Sequence, residues 1–237
     1  MATLAVIPAR MGSSRFPGKP LALLAGKTLI QRVCERAAGL AGVAALRVAT
    51  DHPEILAHVQ SLGFDARLTD GAHPSGSDRV AEAAADWTGH VLNLQGDEPL
   101  FDTHAVTALI ARLEADDSLA MGTVGVPLRP TDLEAPDRVK VLRAPDGLAR
   151  DFRRQLDGPP PPDCTLHLHA GIYLYRAETL ARFVALPPSP REIAERLEQL
   201  RALEAGIPIW VETGEHWAPG VDTPEDLKVV AKLLERA

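Results

Sequence analysis

The chain has 237 residues, 46% of them hydrophobic and 24% charged, enough to bury a substantial core in one large α/β domain or two small ones, of which one is the simpler reading. Its formal net charge is −7 while the loop near its N-terminus is basic, which places cations where a small anionic ligand could sit and argues against a nucleic-acid footprint. No apolar stretch approaches the roughly 18 residues of a membrane span and the first apolar run is too short for a signal-peptide core, while Cys34 and Cys164 are too few for a disulfide framework or a Cys-based zinc site, so a reduced cytoplasmic setting with no membrane anchor is expected.

A short strand, Leu4 to Ile7, opens the chain and runs straight into Pro8-Ala9-Arg10-Met11-Gly12-Ser13-Ser14-Arg15-Phe16-Pro17-Gly18-Lys19-Pro20. Arg10, Arg15 and Lys19, with two glycines and two serine hydroxyls at a strand end, read as a phosphate cradle, because main-chain N–H groups in such a loop bind anions well. The plainer alternative is a basic surface loop with turn glycines. Two better-known phosphate loops do not fit. Gly26-Lys27-Thr28 ends like a P-loop, but Leu21 stands where its first glycine is required, and G-x-G-x-x-G is absent between Gly12 and Gly18.

Leu29, Ile30, Val33, Cys34, Ala37 and Ala38 recur at helical spacing within Thr28 to Leu40, Gly39 and Gly42 stop that helix, and Ala44 to Thr50 reads as the next strand. A helix over Glu54 to Leu62, a strand at Asp65 to Leu68, a helix over Val80 to Trp87 and a strand at His90 to Leu94 follow. This alternation predicts a doubly wound, mostly parallel α/β sheet, in which ligands sit beyond the carboxyl ends of the strands. Arg10, Asp51, Gln95 and Asp97 stand at those ends. After Met121 the strands lengthen (Met121 to Leu128, Val139 to Arg143, Leu166 to Arg176) around a Pro145-Asp146-Gly147 turn, which predicts a hairpin-rich subregion for a substrate. Asp157 to Asp163, with four consecutive prolines, cannot join a ladder and is expected as a surface loop. The chain thus reads as a single domain over 1–237, with halves of approximately 1–120 and 121–215 and a C-terminal motif and helix over 216–237.

Two acids decide the chemistry. In Asn93-Leu94-Gln95-Gly96-Asp97-Glu98-Pro99 the glycine lets the chain turn sharply, so that Asp97 projects from a strand end. Mg²⁺ takes such oxygen ligands, usually one or two carboxylates plus substrate phosphates. The alternative for Asp97 is a turn acid capping the next helix. Its candidate partner is Asp222 in Gly220-Val221-Asp222-Thr223-Pro224-Glu225-Asp226-Leu227: Thr223 has the pattern of an N-cap with Pro224 at N1, so Asp222 is left over for a metal. Leu227, Val230, Ala231 and Leu234 form the apolar stripe of that last helix.

Ile7 to Leu21 as I-P-A-R-x-x-S-x-R-x-P-G-K-P-L, Ser75 to Arg79 as S-G-[ST]-[DE]-R, Asn93 to Pro99 as N-x-Q-G-D-E-P and Gly220 to Leu227 as G-V-D-T-P-E-D-L, with Ala49-Thr50-Asp51 and Pro188-Ser189-Pro190 between them, resemble the 3-deoxy-manno-octulosonate cytidylyltransferases, the CMP-KDO synthetases of the nucleotidyltransferase superfamily. The resemblance covers nearly the whole chain. It implies a Rossmann-like sheet of the nucleotide-diphospho-sugar transferase type with a sugar-binding and dimerisation subregion, a cytoplasmic homodimer, and CTP plus KDO going to CMP-KDO and pyrophosphate for lipopolysaccharide biosynthesis. It also implies Mg²⁺ as cofactor on Asp97 and Asp222, and Arg10, Ser13, Arg15 and Lys19 on the triphosphate. Cytosine and ribose would lie against Pro8, Ala9, Asp51, His73, Ser75, Gly76, Asp78 and Arg79, and Gln95 would stand near the reacting centre. Arg10, Lys19, Gln95, Asp97 and Asp222 are the candidate catalytic group. Ser77 replaces the more usual threonine and keeps its hydroxyl; Ser75 to Arg79 also reads as a helix cap.

On the sugar side, His169 and Tyr173 match the polar positions of the family's sugar strand. His167 shares that face, but two histidines without a third ligand are not read as a zinc site. Ser189-Pro190-Arg191-Glu192 is a capping box, with Ile193, Leu197 and Leu200 along one helix face up to Gly206. Glu198 and Gln199 match residues that reach sugar hydroxyls, against the alternative that Glu198 pairs with Arg201 at i+3. Arg154 aligns with the arginine for the sugar carboxylate. Asp151 and Arg153 replace the family's usual aromatic and serine, which leaves another acidic sugar, amino-KDO or sialic-acid-like, as an alternative substrate, and a non-catalytic nucleotide-binding relative as a further one.

Overall fold

The computed structural model describes the chain except for residues 13, 14, 157, 217, 236 and 237. It divides into two compact units, Met1–Thr103 with Ala218–Ala237, and His104–Trp217. The division falls earlier than residue 120, and the C-terminal segment returns to the first unit.

In the first unit β1 (Thr3–Ala9) is followed by a hairpin of β2 (Leu23–Leu24) and β3 (Lys27–Thr28), then α1 (Leu29–Ala38), β4 (Val43–Thr50), α2 (Pro53–Ser61), β5 (Asp65–Leu68), α3 (Gly76–Ala83) and β6 (His90–Asn93). β6, β1, β4 and β5 lie side by side in that order, all parallel, with Val6 opposite both Arg47 and Asn93. Leu4 to Ile7 are fully buried, as a strand covered on both faces requires. α1 begins where expected because the Thr28 hydroxyl accepts the Gln31 N–H, and it buries Leu29, Ile30, Val33, Cys34 and Ala37. α3 departs from the expected Val80 to Trp87. Ser75 caps it by accepting the Asp78 N–H, so the helix starts earlier and ends at Ala83.

The C-terminal helix, Pro224–Leu234, docks on this unit. Val230 and Val221 share a core with Leu24 and Leu29, joined at its edge by Phe16, Leu100, Leu227, Ala231 and Leu234. The expected stripe is therefore the face that packs, with Val230 fully buried and Leu227, Ala231 and Leu234 partly so.

The second unit contains α4 (Thr103–Ala115), β7 (Met121–Val126), α5 (Pro130–Glu134), β8 (Lys140–Arg143), β9 (Ala149–Arg153), β10 (Thr165–Arg176), α6 (Ala177–Ala185), α7 (Pro190–Glu195), α8 (Gln199–Glu204) and β11 (Ile209–Thr213). β8 and β9 form the expected hairpin-rich part, antiparallel to each other, and β8 pairs antiparallel with β10, as does β7; β11 adds parallel to β7. α4, unassigned in the sequence reading, belongs here because Leu109 and Leu113 pack directly on Gly122 of β7. The helix expected from Ser189 to Gly206 is broken. Arg196 sits at φ 53°, ending α7, and α8 starts anew at Gln199. Ile193 is consequently 67% exposed while Leu197 and Leu200 are buried. Residues 158–163 lie outside any strand.

One glycine fixes the site's geometry. A Cβ on Gly96 would come within 2.8 Å of the Pro8 carbonyl oxygen, so only glycine lets the turn after β6 lie against the end of β1. Gly96→Ala is expected to lower the unfolding free energy by about 2 kcal/mol in urea denaturation. Gly12→Ala, whose Cβ would meet nothing within 4 Å, should stay within about 0.5 kcal/mol of the parent.

Candidate active site

A cavity of about 520 Å³ opens in the first unit at the carboxyl ends of its parallel strands, where a doubly wound sheet binds ligands. Its wall is built from Pro8, Ala9, Arg10, Arg15, Lys19, His73, Ser75, Gly76, Arg79, Gln95, Asp97 and Asp222. Of the residues predicted for nucleotide and metal, Asp51 and Asp78 stand behind this wall, and Ser13 lies outside the described residues. Gly12, Pro20, Pro74 and Gly96 complete the lining.

The cradle loop is closed on itself. Gly18, at φ 73°, donates its N–H to the Met11 carbonyl, and the Lys19 N–H reaches the Phe16 carbonyl. A positive φ at this point turns the chain so that Lys19 opens a short 3₁₀ turn, Lys19–Leu21, anchored by buried Pro20. The Lys19 side chain is thereby 14% exposed, and its ammonium lies 2.6 Å from Asp97 Oδ2 and 3.4 Å from Asp222 Oδ1. Arg15 makes a 3.1 Å ion pair with the other oxygen of Asp222. Acids 125 positions apart (222 − 97) thus share one cation.

Main-chain chemistry makes that meeting possible. The Val221 N–H donates to the Asp97 carbonyl at 2.8 Å, tying the approach to the C-terminal helix against the turn after β6. The helix is capped without Asp222: the Thr223 hydroxyl accepts the Asp226 N–H, and the Asp226 carboxylate accepts the N–H groups of Thr223 and Asp222. The Asp222 carboxylate is left for the cavity, as the capping pattern predicted.

On the opposite wall Arg79 is 5% exposed, and its guanidinium donates to Asp51 at 2.8 Å and to the Thr69 hydroxyl at 2.5 Å. Asp51 therefore acts through Arg79. Asp78 likewise serves the helix start, accepting the Ser75 hydroxyl at 2.6 Å. His73 contacts Glu82, a residue that sequence reasoning missed.

The lysine also tests the site's fit to a divalent cation. An ammonium bridging two carboxylates is a stand-in for a metal ion, and the donors around it are oxygens of the kind Mg²⁺ takes. Among the described residues no three His, Cys, Asp or Glu side chains converge. Among the described residues Asp97 and Asp222 are the carboxylates lining the cavity, and substrate phosphates would supply the remaining oxygens.

The second unit gathers part of the predicted sugar set. The His169 ring lies 5.0 Å from Phe152 and 5.2 Å from Tyr173, and its Nε2 is 3.0 Å from the Thr123 hydroxyl. Burial pushes its pKa down to about 3, so the imidazole is neutral. Burial, followed by the neighbouring Tyr175 and the Glu198 charge, raises the Tyr173 hydroxyl well above its usual range. Glu198 also lies 3.6 Å from Arg201, the i+3 pair weighed above. Gln199 is 4% exposed and its amide nitrogen finds no hydrogen-bond partner among the described residues. Such a buried donor needs an acceptor oxygen.

Arg154 behaves differently from expectation. Its guanidinium donates to the main-chain carbonyls of Glu195, Pro136 and Arg196, at 2.6, 3.2 and 3.0 Å. It braces the break between α7 and α8, because the left-handed turn at Arg196 leaves carbonyls to satisfy. Fully buried Lys140, which carried no sequence signal, adds a parallel brace by donating to the carbonyls of Ala135 and Arg154. Asp151 ties Arg153 (2.8 Å) to Arg191 (2.7 Å). Burial works to raise its carboxyl, and the hydrogen bonds from Arg191 and Arg153 overcome it, holding the group below the usual range.

Parallel strands, with a cationic loop and paired acids in a cavity at their ends, define a doubly wound α/β protein of the nucleotide-binding class. Residues 4–212 match the family model described as cytidylyltransferase. The chain belongs to that family. It is 44% identical to the 3-deoxy-manno-octulosonate cytidylyltransferase of Syntrophotalea carbinolica, over 96% of each chain. The protein of the same name from Solibacter usitatus is 41% identical, over 98% of this chain and 94% of that one. A solved structure of CMP:2-keto-3-deoxy-manno-octonic acid synthetase complexed with CTP superposes with a TM-score of 0.94 at 39% identity, covering 100% of this chain and 99% of that one. A glucose-1-phosphate thymidylyltransferase from Bacillus anthracis shares the fold, with a TM-score of 0.73 at 15% identity over 100% of this chain and 96% of that one.

Neutral His169 makes stability depend on pH. Its folded pKa of about 3 lies below the roughly 6.5 of an unfolded histidine, so between those values the unfolded chain binds the extra proton and stability falls as pH falls. Urea denaturation should show about 2 kcal/mol of this loss between pH 7.5 and 5. His169→Gln, which cannot titrate there, should lack that part of the slope.

Proposed function

We propose that this chain transfers a cytidylyl group from CTP to the anomeric hydroxyl of KDO, giving CMP-KDO and pyrophosphate, with Mg²⁺ as cofactor. The observation that carries this reading is the Lys19 ammonium between Asp97 and Asp222, flanked by Arg10 and Arg15 at the strand ends. Relatives more than 40% identical bear the name of this activity.

Arg10, Arg15 and Lys19 neutralise the triphosphate, and in doing so Lys19 and Arg15 release the two carboxylates they hold in the free protein. Asp97 and Asp222 would then be free to hold the metal. When bound, Mg²⁺ supplies charge neutralisation at the transferring phosphoryl group and orients the leaving pyrophosphate. The sugar hydroxyl attacks the α-phosphorus as the bond to pyrophosphate breaks, so the protein's share is alignment and a fixed positive field. Gln95 lines the same wall as Asp97 and is assigned to the reacting centre. Neutral His169, Tyr173, Glu198 and the unpartnered Gln199 amide form a polar set for sugar hydroxyls. Among the described residues no helix is long and apolar enough to cross a membrane. The free thiols Cys34 and Cys164 accord with a reducing cytoplasm. A homodimer and a place in lipopolysaccharide synthesis complete the reading.

A second reading, CMP transfer to another acidic sugar, is favoured by the Asp151 ion pairs with Arg153 and Arg191, which put a charged cluster where the family carries an aromatic and a serine.

Pyrophosphate release from CTP should require KDO and Mg²⁺ and stop with EDTA. Asp97→Asn and Asp222→Asn should each lower kcat at least about 100-fold with an unchanged circular dichroism spectrum. A rate near the parent's would remove the metal assignment, and a panel in which KDO turns over no faster than other acidic sugars would favour the second reading. Arg154→Ala should both lower stability, by about 2 kcal/mol for its freed carbonyls, and raise KM for the sugar. A loss of stability alone would confine Arg154 to its bracing role.

A further inference from the structure

The hydrogen bond between His73 and Glu82 has no part in the chemistry derived so far. His73 lines the cavity, on the side away from the three loop cations, next to Ser75, Gly76 and Arg79. With the triphosphate on the cations, this side is left for ribose and base. Glu82 comes from the last turn of α3, and one of its oxygens, Oε2, meets both the Nε2 of His73 and the Asp70 N–H, the latter at 2.9 Å. The segment between them is held further by the Asp70 side chain, which accepts the Ala72 N–H at 2.8 Å, and by the Ser75 cap. Glu82 therefore clamps the loop from Asp70 to His73.

As a stabilising contact this pair is weak. The Glu82 side chain is 42% exposed, and exposed pairs contribute little. Its consequence for the imidazole is larger. An ionised carboxylate only accepts hydrogen bonds, and the hydrogen bond from His73, then that from the Asp70 N–H, hold the Glu82 carboxyl below its usual range. The ring nitrogen that meets Glu82 must then be the one carrying hydrogen, and in a neutral imidazole this makes the other nitrogen an acceptor.

We propose that Glu82 is a positioning residue that fixes His73 with its proton on Nε2, so that Nδ1 serves as a hydrogen-bond acceptor for an N–H or O–H group of the nucleotide. Two donors set a cytidine nucleotide apart, the exocyclic amine of its base, which UTP lacks, and its ribose 2′-hydroxyl, which dCTP lacks, and Nδ1 is assigned to one of these two. The inference rests on the cytidylyltransferase reading and adds to it the part that selects the nucleoside.

The test uses the full-length protein labelled with ¹⁵N and the variants Glu82→Leu and Glu82→Gln. Long-range ¹H–¹⁵N spectra near pH 8.5 should show His73 as the Nε2–H tautomer in the parent and in Glu82→Gln, which keeps an acceptor, and as a mixture in Glu82→Leu. Calorimetric CTP affinity should fall about tenfold in Glu82→Leu, the size of one lost hydrogen bond, and recover in Glu82→Gln. Two further nucleotides locate the donor. If it is the base amine, the preference for CTP over UTP shrinks in Glu82→Leu; if it is the 2′-hydroxyl, the preference for CTP over dCTP shrinks instead. Either result supports the proposal. Equal weakening of all three nucleotides would mean a loosened loop and would overturn it, as would an Nδ1–H tautomer in the parent or unchanged CTP affinity in folded Glu82→Leu. Failure of the parent to bind CTP at all would overturn the cytidylyltransferase reading as well, whereas the other failures leave that reading standing.

Discussion

The site depends on one cation holding two acids together. Asp97 and Asp222 carry like charges, and drawing them into one cavity is unfavourable unless something positive sits between them. In the free protein that is the Lys19 ammonium, with Arg15 on the far side of Asp222. The pairs are partly exposed, so they contribute little to stability. What they do is keep the site assembled before its ligands arrive. In the proposed reaction the same acids would become metal donors once phosphates draw the cations away, an inorganic cation taking the place of a protein one.

How much of this could be read from the sequence follows from how local each feature is. The strand at Leu4 to Ile7, the helix within Thr28 to Leu40 and the Asp65 to Leu68 strand are set by neighbours in the chain, and the structure has all three, the first extended to Thr3–Ala9 and the second spanning Leu29–Ala38. Asp222 was legible for the same reason: Thr223 and Asp226 visibly complete the cap, which leaves the preceding acid without a local task. α3 was misplaced because its apolar pattern begins at Val80, whereas Ser75 sets its start by capping. The α4 stripe, Ala105, Val106, Leu109, Ile110 and Leu113, was there to be seen at helical spacing.

Long-range partners were not legible. The sequence spacing of Arg154 says nothing about carbonyls at positions 136, 195 and 196, and these take its guanidinium. The break at Arg196 was hidden because the capping box and the leucines fit one continuous helix; the left-handed residue that splits it is an arginine, where a glycine would have announced the turn. Glu82 was passed over for a similar reason. On sequence it is one more acid on a helix, and only the fold brings it to His73.

The return of the last helix to the first unit also sets an order in time. As the polypeptide leaves the ribosome, the strands, the cationic loop and Asp97 are all available before the second unit has been made, and Asp222 emerges after it. Through that interval Leu24 and Leu29 lack the valines that cover them, and Lys19 has a single carboxylate to bind. The cavity is thus the last part of the first unit to be completed during translation, because the carboxylate that closes it belongs to the final segment of the chain.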